Sequence, residues 1–195
     1  MRLIPALLFL AATPSLAFAH AGHVPADGFA YGFGHPLGGI DHVLAMVVVG
    51  VFACVLGGRA LWAVPLAFIG MMAVGFLLGA MQVQLPLVEL GIAASSIVIG
   101  AAAATGRPLP IAGAVALVGA FAVFHGHAHG TEMPAAAGGL TYAVGFIAAT
   151  ALLHLAGIAG SLGVAKLLGR HGRLAARVAG GVFAIGGVGI LAGWI

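Results

Sequence analysis

The sequence predicts an all-α polytopic membrane protein: a cleavable signal peptide over residues 1–19, then a single domain, 20–195, of six transmembrane helices with the amino and carboxyl termini outside. Three observations carry this prediction. Of the 195 residues, 63% are hydrophobic and 6% charged, at a mean hydropathy of +1.22, whereas soluble domains carry about 25% charged residues. The apolar residues fall into runs close to the roughly 20 needed to cross a bilayer. The basic residues after the leader occupy alternate loops only, the asymmetry of the positive-inside rule.

The first element is the leader. Arg2 precedes an apolar stretch from Leu3 to Ala12, Pro14 and Ser15 interrupt it, and Ala17-Phe18-Ala19 gives the small-x-small pattern of a cleavage site. Six runs follow, Pro36 to Leu56, Ala60 to Met81, Leu87 to Ala104, Ile111 to His129, Ala136 to Val164 and Leu174 to Trp194. The breaks between them are Gly57-Gly58-Arg59, Gln82 to Pro86, Thr105 to Pro110, Gly130 to Ala135 and, longest, Ala165 to Arg173. With the amino terminus delivered outside, the first, third and fifth breaks lie in the cytoplasm. They and their flanks hold Arg59, Arg107, Lys166, Arg170, Arg173 and Arg177, while the other two breaks hold no Lys or Arg. Gly75 with Gly79 and Gly189 with Gly193 are spaced as close-packing seams between helices.

Composition excludes several classes. Gly is frequent, 33 residues, but with 9 Pro and no Gly-x-y repeat the chain is neither collagenous nor disordered. The single cysteine, Cys54, forms no internal disulfide and stands in an apolar run as a small core residue. The net charge of +3 is scattered, without the Lys/Arg block that nucleic acid requires. No nucleotide-binding loop is present, so direct ATP drive needs a partner subunit.

Histidine is the anomaly, with 9 against 11 charged residues. Under the expected topology, Asp27, Asp41, Glu89, Glu132 and seven of the histidines gather toward the outer side. Ionisable groups in membrane helices are costly and mark ion or substrate paths. The first motif is His35-Pro36-Leu37-Gly38-Gly39-Ile40-Asp41-His42, with Met46 beyond it. On one continuous helix starting near Pro36, His35 and His42 would project within about 20° of each other, and Met46 would extend that stripe. Asp41 points elsewhere, to orient an imidazole or to bind metal directly.

The second motif is Phe124-His125-Gly126-His127-Ala128-His129-Gly130-Thr131-Glu132. Helical spacing puts His125, His129 and Glu132 on one face and His127 on the other, unless Gly126 and Gly130 loosen the helix and let His127 swing in. Glu89, at the start of a helix, suits either the dipole or a ligand role. His154, deep in the fifth run, reads as an inner ligand, a proton carrier, or a histidine bonded to a neighbouring helix. His171 lies among basic residues in the fifth break, suited to solvent or lipid headgroups. His20 and His23, at the end that cleavage would free, are a candidate capture site for a divalent ion.

Imidazole with carboxylate favours Ni2+, Co2+ or Zn2+; Met46, Met71, Met72 and Met81 keep copper as a minor option. The donor set alone leaves three classes open: a transporter, an intramembrane metal-dependent hydrolase or hydroxylase in which the metal activates water, and a sensor or accessory protein that binds metal without moving it.

The two His motifs, the leader and the six-run plan together resemble the HupE/UreJ family of bacterial nickel permeases over essentially the whole chain. The resemblance implies no enzyme, but secondary, ATP-independent uptake of Ni2+ or Co2+ through the multi-pass inner membrane. It implies no permanent cofactor, and partners limited to the metal ion, the bilayer and the cytoplasmic nickel chaperones of hydrogenase or urease maturation. Carried over by position, His35, Asp41, His42, His125, His129 and Glu132 are the expected metal-handling residues, with Glu89 plausible in the same role.

Overall fold

The computed structural model describes residues 27–194. The expected signal peptide, His20 and His23 lie outside the described residues. Within them the chain is helical, with no strand: α1 Gly28–Gly38, α2 Ile40–Leu56, α3 Ala60–Ala80, α4 Val88–Thr105, α5 Ile111–Thr131, α6 Gly139–Leu168 and α7 Gly172–Leu191, with one 3-10 turn at Gly169–His171. Four stretches are long and apolar enough to cross a membrane: Ala60–Ala80, Val88–Thr105, Ile111–Thr131 and Gly139–Leu191. A fifth is the pair α1 and α2, bent by 84°. The outer surface is correspondingly apolar, with Leu66, Leu77, Leu155, Val182 and Ile185 all exposed.

That bend corrects the first expected run. Pro36 sits in the last turns of α1, not at a helix start, and its missing N–H weakens the turn just before the helix stops. Gly39 then takes an extended conformation, φ −107° and ψ 123°, and α2 begins in a new direction. A side chain at Gly39 would collide with the Asp41 carboxylate. The stripe expected to join His35, His42 and Met46 on one face therefore does not exist: His35 belongs to α1, His42 to α2, and Met46 is fully buried in the core.

Close approach of small residues fixes the neighbours, as it must where lipid removes the hydrophobic drive between helices. α3 and α5 lie side by side and parallel. Gly75 meets Val123 and His127, Gly79 meets His127 and Gly130, while Gly126 and Gly130 rest on the carbonyls of Met72 and Phe76. Gly126 and Gly130 thus admit a neighbouring backbone and do not loosen α5, which is helical through Thr131. α1 crosses the start of α6 with Gly32 against Tyr142 and Gly145 against Phe29, and α2 follows α6 with Gly50 against His154 and Gly157.

The expected loop from Ala165 to Arg173 is mostly helix. α6 continues to Leu168, and only Gly169, at φ +52°, and the 3-10 turn reverse the chain. At 30 residues, α6 is about 45 Å long, so its basic end reaches past a hydrocarbon core of about 30 Å. α7 returns antiparallel to α4, Gly180 against Gly100 and Gly187 against Ser96. The second expected seam fails at Gly193, which has open space around it and a φ of +69° that ends the helix. Arg177 Nε donates to the Ala104 carbonyl at 2.9 Å, satisfying the end of α4.

Candidate functional site

Three helix ends converge on the histidine cluster. α1 delivers His35, the first turn of α2 delivers Asp41 and His42, and the last two turns of α5 deliver His125 and His129, with Glu132 as its C-cap. At the rim, His35 Nε2 lies 2.9 Å from Glu132 Oε2. Inward, ring centroids are 4.9 Å apart for His35 and His129, 5.1 Å for His42 and His129, and 5.2 Å for His42 and His125. Two imidazoles sharing one ion have centroids roughly 4.5 to 6.5 Å apart, given a metal–nitrogen bond of about 2.1 Å. Each pair therefore spans a distance one ion can bridge. Among the described residues no three His, Cys, Asp or Glu groups converge on one point; bringing three donors together takes rotation of the rings.

The sequence of exposures runs from water to core. Glu132 is exposed, His35 and His42 are half-buried, and His129, His125 and His154 are buried. His154, on α6, joins the column through Phe68, whose ring lies 5.6 Å from His125 and 5.1 Å from His154. Phe146 stacks on His129 at 4.8 Å, and Tyr142 stands 6.2 Å from His35.

Hydrogen bonds decide which nitrogens face the column. Asp41 Oδ1 accepts from the His42 backbone N–H at 2.8 Å and from His42 Nδ1 at 3.0 Å. Nδ1 therefore carries the proton, and the lone pair is on Nε2. Asp41 here orients its neighbour, as the carboxylate partners of metal-binding histidines do. Ser95 Oγ donates its one proton to the Ile92 carbonyl and accepts from His125 Nε2 at 2.9 Å, which leaves the His125 lone pair on Nδ1. His42 Nε2, His125 Nδ1 and both ring nitrogens of His129 and His154 are buried without a hydrogen-bond partner. An unpaired buried polar group costs about 1–3 kcal/mol, and this column holds several.

The remaining candidates lie elsewhere. His127 faces away from the cluster and its Nε2 donates to the Val83 carbonyl at 2.7 Å, pinning the loop between α3 and α4. Glu89 is exposed in the first turn of α4 and is not part of the cluster. Ser95, Phe68, Tyr142 and Phe146 had no signal in the sequence, since a serine or an aromatic in an apolar run is ordinary; only their three-dimensional neighbours single them out.

A family model described as HupE / UreJ protein matches residues 8–190. The chain belongs to the HupE/UreJ family. It is 45% identical over 183 residues to Protein HupE of Rhizobium leguminosarum bv. viciae, with 93% of each chain covered. No solved structure matches. The HupE/UreJ match includes every helix that builds the cluster, so column and family describe the same part of the chain.

Proposed function

We propose that this HupE/UreJ protein is a secondary permease of the bacterial inner membrane that admits Ni2+ or Co2+ from the outside. In this reading α6 and α7 are separate spans and the bent α1–α2 pair is one, giving six. The termini and the histidine cluster face outside, and the Lys and Arg residues face the cytoplasm. The observation that carries the proposal is the column of buried imidazoles with unpaired nitrogens, open at Glu132 and closing at His154.

The ion is the substrate, and the chain's residues set its path. The exposed Glu132 carboxylate, paired with His35, attracts the hydrated cation. Metal capture separates that pair, and His35 presents its imidazole beside His129 and His42. Asp41 holds His42 with Nε2 forward, and Ser95 does the same for His125 Nδ1, so the ion meets lone pairs and not N–H groups. Neighbouring pairs share rings, so the ion exchanges one ligand at a time while it sheds water. Phe68 separates His125 from His154, and its side chain must yield for the ion to pass. His20 and His23 suit a capture role by their donor chemistry alone, and Glu89, apart from the column, fits the dipole of α4 better than a ligand role. Ni2+ or Co2+ then reaches the cytoplasm, where nickel chaperones of hydrogenase or urease maturation are the fitting recipients.

Radioactive nickel accumulation by cells lacking their own nickel transporters tests the proposal. Expression of this chain should raise accumulation, excess unlabelled Co2+ should compete, and His125→Ala should return it to the level of empty-vector cells. Equal accumulation with and without the protein would exclude uptake and leave the metal-dependent hydrolase or hydroxylase and the sensor or accessory role.

A further inference from the structure

At the end of the bundle away from the histidine cluster, Lys166, Arg170, Arg173 and Arg177, with His171 among them, crowd the turn from α6 to α7. The four acidic residues of the chain, Asp27, Asp41, Glu89 and Glu132, are all at the opposite helix ends. No acidic side chain is available to balance this turn, so its counter-charge comes from outside the protein.

Beside the turn is a cavity of about 100 Å³ lined by Cys54, Ser161, Ala165, Arg173, Ala176 and Arg177. Ser161 and Ala176 also border a second, apolar space of about 230 Å³ between α2, α6 and α7, walled by Val51, Gly157, Gly160, Ala179 and Phe183. From Arg173 to Phe183 along α7 is about 15 Å at 1.5 Å per residue, the depth of one leaflet of a hydrocarbon core about 30 Å thick. Arg177 spends Nε on the Ala104 carbonyl, which fixes the guanidinium at the mouth with its terminal nitrogens still free to donate. Gly172 opens α7 at the same mouth, adding the positive end of the helix dipole.

We infer that this groove is a binding site for an anionic phospholipid, its phosphodiester on Arg173 and Arg177 and one acyl chain along α6 and α7 toward Phe183. The inference is independent of the metal path and stands or falls without it. A basic mouth at the interface and an apolar trough of leaflet depth match the two halves of such a lipid. Free phosphate matches only the mouth, and a zwitterionic lipid leaves the surplus positive charge unbalanced. By tying α2, α6 and α7 together at the basic end, the lipid also fills a gap between helices that side chains leave open.

Native mass spectrometry of the full chain, released from detergent micelles supplemented with phosphatidylglycerol, phosphatidylcholine or inorganic phosphate, tests the inference. Phosphatidylglycerol should be retained over phosphatidylcholine. Each basic residue near an anionic lipid contributes about fivefold in affinity, so R173Q should weaken retention about fivefold and R173Q/R177Q about 25-fold. R173Q alone suffices if loss of the Arg177 bond to Ala104 prevents folding. A Cβ at Gly160 would meet nothing within 4 Å and Gly160 borders the apolar space, so Gly160→Leu projects into the trough and should also expel the lipid. Equal retention of both lipids overturns the inference. So does a Gly160→Leu protein that keeps phosphatidylglycerol fully, or one whose arginines hold inorganic phosphate equally well, because either result reduces the site to a charged mouth.

Discussion

Replacing Ser95 by alanine removes one oxygen from a fully buried position and leaves the His125 Nε2 proton without its acceptor. The expected cost of that unpaired donor is about 1–3 kcal/mol. His125 escapes it by turning or by moving its proton to Nδ1, and either change removes the lone pair from the column. Loss of a group that orients a metal-binding histidine costs about 10-fold to 100-fold in affinity or activity, which at 1.4 kcal/mol per factor of ten agrees with the hydrogen-bond figure. The assay is nickel uptake by Ser95→Ala at matched expression, with Ser96→Ala beside it. Ser96 is equally buried on the same helix, but its hydroxyl has no partner, so its removal should leave uptake near wild type. Equal losses in the two variants would show that buried polarity in α4, and not the bond to His125, is what transport needs.

Three further predictions follow from the same geometry. In a Cys54→Ser background, Ala135→Cys should react with an impermeant thiol reagent added outside, while His171→Cys should react only after the inner membrane is permeabilised; the reverse pattern inverts the topology. Metal capture requires neutral imidazole, so nickel affinity measured by calorimetry should fall as acidification protonates the rings; affinity that is unchanged down to the acid limit of folding removes histidine from the site. Gly126→Ala pushes a methyl into the Met72 carbonyl, and overpacking of this kind costs about 1–3 kcal/mol. Its melting temperature in detergent should drop, whereas Gly160→Ala, in open space, should melt like wild type.

Helix existence was legible in the sequence because lipid imposes one rule, about 20 apolar residues per crossing, and α3, α4 and α5 lie within two residues of where that rule puts them. Breaks were less legible. Gly39 reads as one more glycine in an apolar run, yet the close approach of Asp41 makes it a corner, and the face argument for His35 and His42 depended on a helix that does not continue. Ala165 to Leu168 read as loop because Lys166 interrupts the apolar run, but a lysine near a helix end extends to the interface without ending the helix. In the site, the spacing of His125, His129 and Glu132 was a sufficient guide to their common side because α5 is regular. The pairing of Glu132 with His35, and the place of Ser95 behind His125, depend on how α1, α4 and α5 pack, which short-range periodicity does not encode.

The central claim is that an ion crosses the membrane along the imidazole column. Purified protein in sealed proteoliposomes, given radioactive nickel outside, measures this without any other cellular component. The account predicts time-dependent accumulation far above one ion per protein for the wild type and for His127→Ala, whose side chain faces away from the column. His129→Ala, at the centre of the cluster, should show none above protein-free vesicles. Wild-type uptake that stops at the amount the protein itself binds, or undiminished accumulation by His129→Ala, would contradict it.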